Sequence, residues 1–214
     1  MKVLIIGANG KIGQLLVKQM LADKQHVPVA MVRKEEQAAS FRAQGVESVL
    51  ADLEAPVEEI AEAARTCDAI VFTAGSGGST GADKTILIDL DGAVKAMEAA
   101  EQAGISRFVI VSALGAESRE RWSDSIRHYH AAKHYADRIL ESSELIYTIL
   151  RPGGLLDDPG SGRISLKTPA HEGSIPREDV AAVIAAVLDN PATYRKSYDL
   201  VSGSDSVSEA LARL

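Results

Sequence analysis

Aromatic residues are scarce in this chain: three Phe, one Trp and five Tyr among 214 residues, or 4%. A core built without them has to be aliphatic, and 46% apolar content is enough for a sizeable one. A single cysteine, Cys67, excludes an intramolecular disulfide and fits a reducing, cytoplasmic setting. It has no His or basic cluster beside it in sequence, so a catalytic thiol is not expected. Positive charge is outnumbered: 23 Lys and Arg against 30 Asp and Glu leave a formal net charge of −7. That acidic balance argues against nucleic-acid and anionic-membrane partners, which need basic footprints. No apolar run approaches the roughly 20 residues needed to cross a bilayer. Met1-Lys2 leads straight into an apolar stretch and then glycines, so no signal peptide is expected. Repeats and low-complexity segments are also missing, and the length suits one α/β domain over residues 1–214.

What the chain does have is a regular alternation. Short apolar runs at Val3–Ile6, Val27–Val32, Ser48–Ala51, Ala69–Thr73, Phe108–Ser112, Tyr147–Leu150 and Tyr198–Val201 read as strands covered on both faces. Helical patterns lie between and after them: Gly10–Ala22, Glu35–Gln44, Pro56–Ala64, Lys84–Ala103, His130–Ser142, Arg177–Leu188 and Ser206–Leu214. Gly45 and Gly104 stand where helix C-caps are expected. Repeated β-α-β with aliphatic strands predicts an α/β fold: a single doubly wound Rossmann-type parallel sheet with helices on both faces. The least regular stretches, Ser76–Asp83, Ala113–Arg127 and Gly154–Pro176, follow the carboxyl ends of strands, the edge where such sheets bind ligands. A small substrate-side region is expected from the loops at about 113–128 and 154–178.

Gly7, Gly10 and Gly13 follow the first strand and open the first helix. In that context Gly7 permits the turn, Gly10 lets the backbone approach a pyrophosphate, and Gly13 lets helix and strand pack. The segment Gly7-Ala8-Asn9-Gly10-Lys11-Ile12-Gly13 therefore predicts a dinucleotide site, with the helix N-terminus facing the phosphates. The end of the second strand chooses the cofactor. An acid there would hold the ribose hydroxyls of NAD(H); here Arg33 and Lys34 stand instead and suit the 2′-phosphate of NADP(H). NADP(H) is the expected cofactor and NAD(H) the weaker candidate. Asp52 and Leu53, after the third strand, are placed beside the adenine, and Asp52 also reads as a cap for the next helix.

The ordered set of motifs resembles the atypical and extended short-chain dehydrogenases/reductases, in the epimerase/dehydratase-like and flavin-reductase-like branch. The matches are the glycine loop, the turn Thr73-Ala74-Gly75, the strand Phe108–Ser112 ending in Ser, Tyr129-His-Ala-Ala-Lys133, Leu150-Arg-Pro-Gly-Gly154 and Arg177-Glu-Asp-Val-Ala181. The resemblance spans essentially the whole chain. It implies an NADP-dependent oxidoreductase scaffold in which Thr73, Ala74, Gly75, Pro152 and Gly153 also line the cofactor. It does not fix the reaction, because the branch holds reductases of flavins and related pigments as well as NADP(H) sensors without turnover.

Tyr129 and Lys133 are four apart on a predicted helix and share a face. An ammonium there would favour tyrosinate, making Tyr129 a proton donor or acceptor and Lys133 its tuner and the holder of the nicotinamide ribose. Ser112, at a strand end, would bond a substrate oxygen. Two departures count against a full catalytic set: Ala113 stands where extended members carry a second hydroxyl, and only 17 positions separate Ser112 from Tyr129. His130 and His134 have the spacing of a helical zinc pair but no third ligand follows, so no metal is expected. Asp157-Asp158-Pro159 reads as a polar turn and Glu54–Glu62 as a solvated helix face. The expected function is reduction of a small flavin-like, quinonoid or carbonyl substrate. The rivals are an NADP(H) sensor acting through a protein partner and a sugar-nucleotide epimerase or dehydratase. The last is disfavoured by the short stretch after Arg151, and the oligomeric state is not written in the sequence.

Overall fold

The computed structural model describes residues 1–78, 80–166, 169–170 and 172–214. Ser79 in the first irregular stretch, and Lys167, Thr168 and His171 in the third, lie outside the described residues. The strands are β1 (Lys2–Ile6), β2 (Val27–Val32), β3 (Glu47–Leu50), β4 (Ala69–Phe72), β5 (Arg107–Val111), β6 (Ile146–Pro152), β7 (Gly154–Leu156), β8 (Arg163–Leu166), β9 (Ser174–Pro176), β10 (Lys196–Ser202) and β11 (Asp205–Ser206). The helices are α1 (Lys11–Asp23), α2 (Glu35–Ala43), α3 (Val57–Ala64), α4 (Ala82–Lys84), α5 (Gly92–Gln102), α6 (Arg127–Ser142), α7 (Arg177–Val187) and α8 (Val207–Ala212).

The main sheet has nine strands in the order β11-β8-β10-β6-β5-β4-β1-β2-β3. Pairings from β3 across to β10 are all parallel, as the apolar strand runs require. Alternate residues of each strand face opposite sides. Val3 and Ile5 pack under α1, α2 and α7, whereas Leu4 and Ile6 pack under α3, α5 and α6. This is the expected Rossmann-type layering, with Gly45 and Gly104 following the last turns of α2 and α5.

Two features differ from the expectation. The sheet is not wholly parallel: β8 pairs antiparallel with β10 and with β11, and β7 and β9 form a separate two-stranded ribbon. Strands β7, β8, β9 and β11 have two to four residues and too little alternation to be read locally. The long helix expected at Lys84–Ala103 is interrupted, because Thr85–Asp91 form a π-helical segment between α4 and α5. A π-bulge inserts a residue without changing the apolar pattern, so periodicity alone does not show it.

From β1 the chain moves outward through β2 to β3, then returns to β4 on the other side of β1. The crevice between the carboxyl ends of β1 and β4 is therefore the topological switch point of the sheet. The glycine loop, the Thr73–Gly75 turn, Ser112 and Gly153 all stand at that edge, each just past the end of its strand.

Candidate functional site

Gly7 turns the chain out of β1 at φ +88°, a conformation that favours glycine. A Cβ on Gly7 would stand 2.6 Å from Ala74 N, and one on Gly13 would stand 2.7 Å from the Ala8 Cα. Both positions are closed by packing. Gly10 is different: its φ of −74° and ψ of 165° suit any residue. A Cβ there would meet only Gly7 O, at 3.1 Å, and is otherwise clear of the protein. Gly10 is also the N-cap of α1 and supplies no side-chain cap. The first helical bond runs from Gln14 N to Gly10 O at 2.9 Å, which leaves the amides of Lys11, Ile12 and Gly13 without helical acceptors. Free donors, the positive end of a helix and a cradle kept clear of Cβ atoms fit a pyrophosphate.

Lys11 and Arg177 converge on the exposed Asp157, at 2.5 and 2.6 Å. Hydrogen bonding from Lys11, joined by Arg177, holds the Asp157 carboxyl below its usual range. These residues, with Asn9, Gln14 and Leu156, edge an open cleft of about 580 Å³ beside the loop.

Past β2, Arg33 and Lys34 are exposed. Lys34 lies 3.6 Å from Glu36, while the Arg33 guanidinium has no ion pair among the described residues. Asp52 accepts from the Glu54 amide at 3.0 Å, and the N-cap of α3 is Pro56, so Asp52 closes a turn rather than a helix. Leu53 is buried, and its side chain fills the space that Gly92 leaves open. That side chain belongs to the core.

The Thr73 hydroxyl donates to Ile6 O at 3.1 Å and so ties the β4 turn to β1. Pro152 closes β6 and accepts from the Leu114 amide at 2.9 Å. Gly153 packs backbone to backbone on Gly173, where a Cβ would come within 2.8 Å of the Gly173 carbonyl carbon. Ser112 is buried, with its amide bonded to Leu150 O at 2.7 Å.

Lys133 is fully buried. Its Nζ donates to Val111 O at 3.2 Å, sits 3.3 Å from Asp89 Oδ1, and lies 5.7 Å from the centre of the half-buried Tyr129 ring. Burial opposes the charge on Lys133, but Tyr129, Asp89 and Asp137 together outweigh it and hold the ammonium's pKa above its usual value. Tyr129 and Lys133 are thus side by side, Ser112 follows the Val111 whose carbonyl Lys133 bonds, and Lys133 is engaged by groups that sequence reading did not name.

Two missed residues complete the cluster. Asp89 sits in the π segment, fully buried, and its Oδ2 accepts the Ser76 amide at 3.0 Å. An acid inside the apolar run Ile86-Leu87-Ile88-Asp89-Leu90 was the available signal. Asp137 lies one turn beyond Lys133 on α6 and accepts from Arg151 Nε at 2.8 Å. Burial raises its pKa, opposed by Arg151, Ser112 and Lys133. The spacing 129, 133, 137 was the signal there.

The loop after β5 is tied down rather than open. Trp122 Nε1 donates to Ala116 O at 3.3 Å, and His134 Nδ1 donates to the same oxygen at 2.7 Å. His130 Nδ1 accepts the Ser123 amide at 3.1 Å, and burial lowers the His130 pKa. Glu178 and Asp179, from the Arg177-Glu-Asp motif, accept the amides of Gly160, Ser161 and Gly162 and so shape the substrate-side loop. No group of three or more His, Cys, Asp or Glu among the described residues is arranged to hold a metal ion. No described helix is long and apolar enough to cross a membrane.

A glycine loop at the switch point of a Rossmann-type sheet, with a buried Lys beside a Tyr, fits one class: NAD(P)-binding oxidoreductases of the atypical short-chain dehydrogenase/reductase type. Residues 7–191 match the NAD(P)H-binding family, and the chain belongs to it. A Bacillus subtilis protein named uncharacterized sugar epimerase YhfK is 56% identical over 100% of both chains. The solved oxidoreductase ylbE from Lactococcus lactis is 32% identical with a TM-score of 0.92, over 100% of this chain and 96% of that one. ChuY from Escherichia coli O157:H7, an anaerobillin reductase, is 30% identical with a TM-score of 0.81, over 94% and 97% of the two chains.

Proposed function

We propose that the protein is an NADP(H)-dependent reductase of a small, planar, flavin-like or quinonoid substrate. The observation that carries the cofactor half is the exposed Arg33 guanidinium at the end of β2, without an ion pair among the described residues, where a 2′-phosphate would meet it. Bound NADPH would supply the hydride. Around it, the amides after Gly10 hold the pyrophosphate, Lys133 keeps a fixed positive charge near the nicotinamide end, and Ser112 orients a substrate oxygen. The substrate half draws on likeness to ChuY, an anaerobillin reductase, and on the engagement of Lys133 by Asp89 and Val111 O. Hydride passing directly to a planar ring needs little proton chemistry from the protein, which suits a Tyr129 whose partner Lys is already occupied. Anaerobic mixing of protein, NADPH and free flavin, or a quinone, followed at the nicotinamide absorbance, tests the reading. Saturable turnover is expected; tight NADPH binding with no oxidation by any such acceptor overturns it.

A second reading is a non-catalytic NADP(H) sensor. The full engagement of Lys133 favours it equally, and it differs in predicting binding without turnover.

A further inference from the structure

One buried ion pair near the switch point centres on Asp89. It is fully buried and lies in the π-helical segment Thr85–Asp91, and its two oxygens face different elements. Oδ2 accepts the Ser76 amide at 3.0 Å, in the turn that follows Gly75 at the end of β4. Oδ1 faces Lys133 Nζ at 3.3 Å and has no hydrogen bond of standard geometry among the described residues. The Gly75 backbone rests on the same carboxylate, where a Cβ would stand 3.1 Å from Oδ1. A regular α-helix through 82–102 would rotate residues on one side of the bulge by roughly 100° relative to the other. The π segment therefore sets which way Asp89 points, and it points between the switch-point turn and α6.

We propose that Asp89 is a positioning residue: it fixes the place and charge of Lys133 and joins it to the Gly75–Ser76 turn over which the dinucleotide would lie. This rests on the reductase reading for its consequence in turnover, but not for its physical content. A buried ammonium keeps its proton only if nearby anions offset its lost hydration. The groups facing Lys133 are Asp89 from the π segment, Tyr129 and Asp137 from α6, the Val111 carbonyl from β5 and the Phe72 ring from β4. Asp137 is itself taken up by Arg151 at 2.8 Å. Asp89 is thus the carboxylate in ion-pair contact with Lys133, and among the described residues it has no second cation within 4 Å.

The test uses lysine labelled with ¹⁵N at Nζ and reads the Lys133 resonance against pH in the whole protein. In the unaltered protein Lys133 is expected to hold its charge above the usual lysine range. In Asp89→Asn its proton affinity should fall roughly tenfold or more, and Asp89→Glu should restore part of it. Titration of Lys133 at the same pH in both proteins overturns the proposal, because a residue that only fills space would lower stability without moving that titration. If Asp89→Asn folds but is too unstable to be titrated to high pH, the double variant Asp89→Asn/Lys133→Met decides. Removing both members of a buried pair should raise the melting midpoint above that of Asp89→Asn alone, and an unchanged midpoint overturns the partnership. Where turnover is found, the pH profile of hydride transfer in Asp89→Asn should gain an alkaline descent that follows the Lys133 titration. Absence of turnover in every variant defeats the reductase reading and leaves the titration result standing.

Discussion

Gly7 and Ala74 meet across the switch point so closely that a Cβ on Gly7 would come within 2.6 Å of the Ala74 nitrogen. This contact joins the loops that follow β1 and β4, the two walls of the proposed cofactor crevice. It also separates the glycines by role. Gly7 and Gly13 are demanded by the protein's own backbone, and Gly10 is not. Gly7→Ala and Gly13→Ala should each destabilise by about 1–3 kcal/mol or more, because main chain rather than a flexible side chain stands in the way. Gly10→Val should keep the melting midpoint close to that of the unaltered protein and abolish NADPH binding. Normal NADPH affinity in Gly10→Val would mean the phosphates bind elsewhere.

Arg33 lies past the end of β2 with its guanidinium free of ion pairs among the described residues. Arg33→Ala should cost about 1.5–3 kcal/mol of NADPH affinity and almost none for NADH, the range for a charge-assisted hydrogen bond. Equal losses for the two cofactors would assign Arg33 to the fold or to the pyrophosphate rather than to the 2′-phosphate.

Tyr129 and Lys133 share a face of α6, and the Lys133 ammonium lies 5.7 Å from the Tyr129 ring centre. Direct hydride transfer to a flavin-like ring predicts that Tyr129→Phe keeps most of its activity, while Lys133→Met loses cofactor affinity and turnover together. A carbonyl reductase relying on the phenol would instead lose roughly 10²–10⁴-fold in Tyr129→Phe. Single-turnover hydride transfer in the two variants separates the cases, and a hundredfold loss in Tyr129→Phe would refute the flavin-like mechanism.

Cys67 is buried, which pushes its thiol from 9.0 up to about 11 despite the nearby Lys2. The thiolate fraction near pH 8 should then be about a hundredfold below that of an unperturbed thiol, and alkylation of native protein slower in proportion. The sign for stability follows from the same shift. The folded-state pKa is the higher one, so the contribution is whole below pH 9.0 and is lost as pH rises toward about 11, where the unfolded thiol ionises first. Equal alkylation rates in native and urea-unfolded protein would show that the burial is not real in solution.

The layered sheet was legible because strands buried on both faces write themselves as aliphatic runs, and the β1 and β2 ends were readable from Gly7 and Arg33. The ribbon of β7 and β9 was not legible: three-residue strands carry no period. The π segment was hidden because Ile86, Leu87, Ile88 and Leu90 read as part of an apolar helix whether or not one residue is inserted. That Lys133 shares a helix face with Tyr129 was readable from their spacing, but the surroundings of Lys133 were not. They depend on Asp89, whose direction is set by that bulge, and on Val111 O, a backbone atom with no sequence signature. Leu53 stands past the end of β3 with its side chain in the core, a burial that its place in the sequence did not show.

Calorimetric titration of the unaltered protein with NADPH and, separately, with NADH tests the central claim most directly. The account predicts NADPH binding at one site per chain, tighter than NADH by roughly tenfold or more, since a charge-assisted contact to the 2′-phosphate separates them. Equal affinities, or no heat from either cofactor, would contradict it.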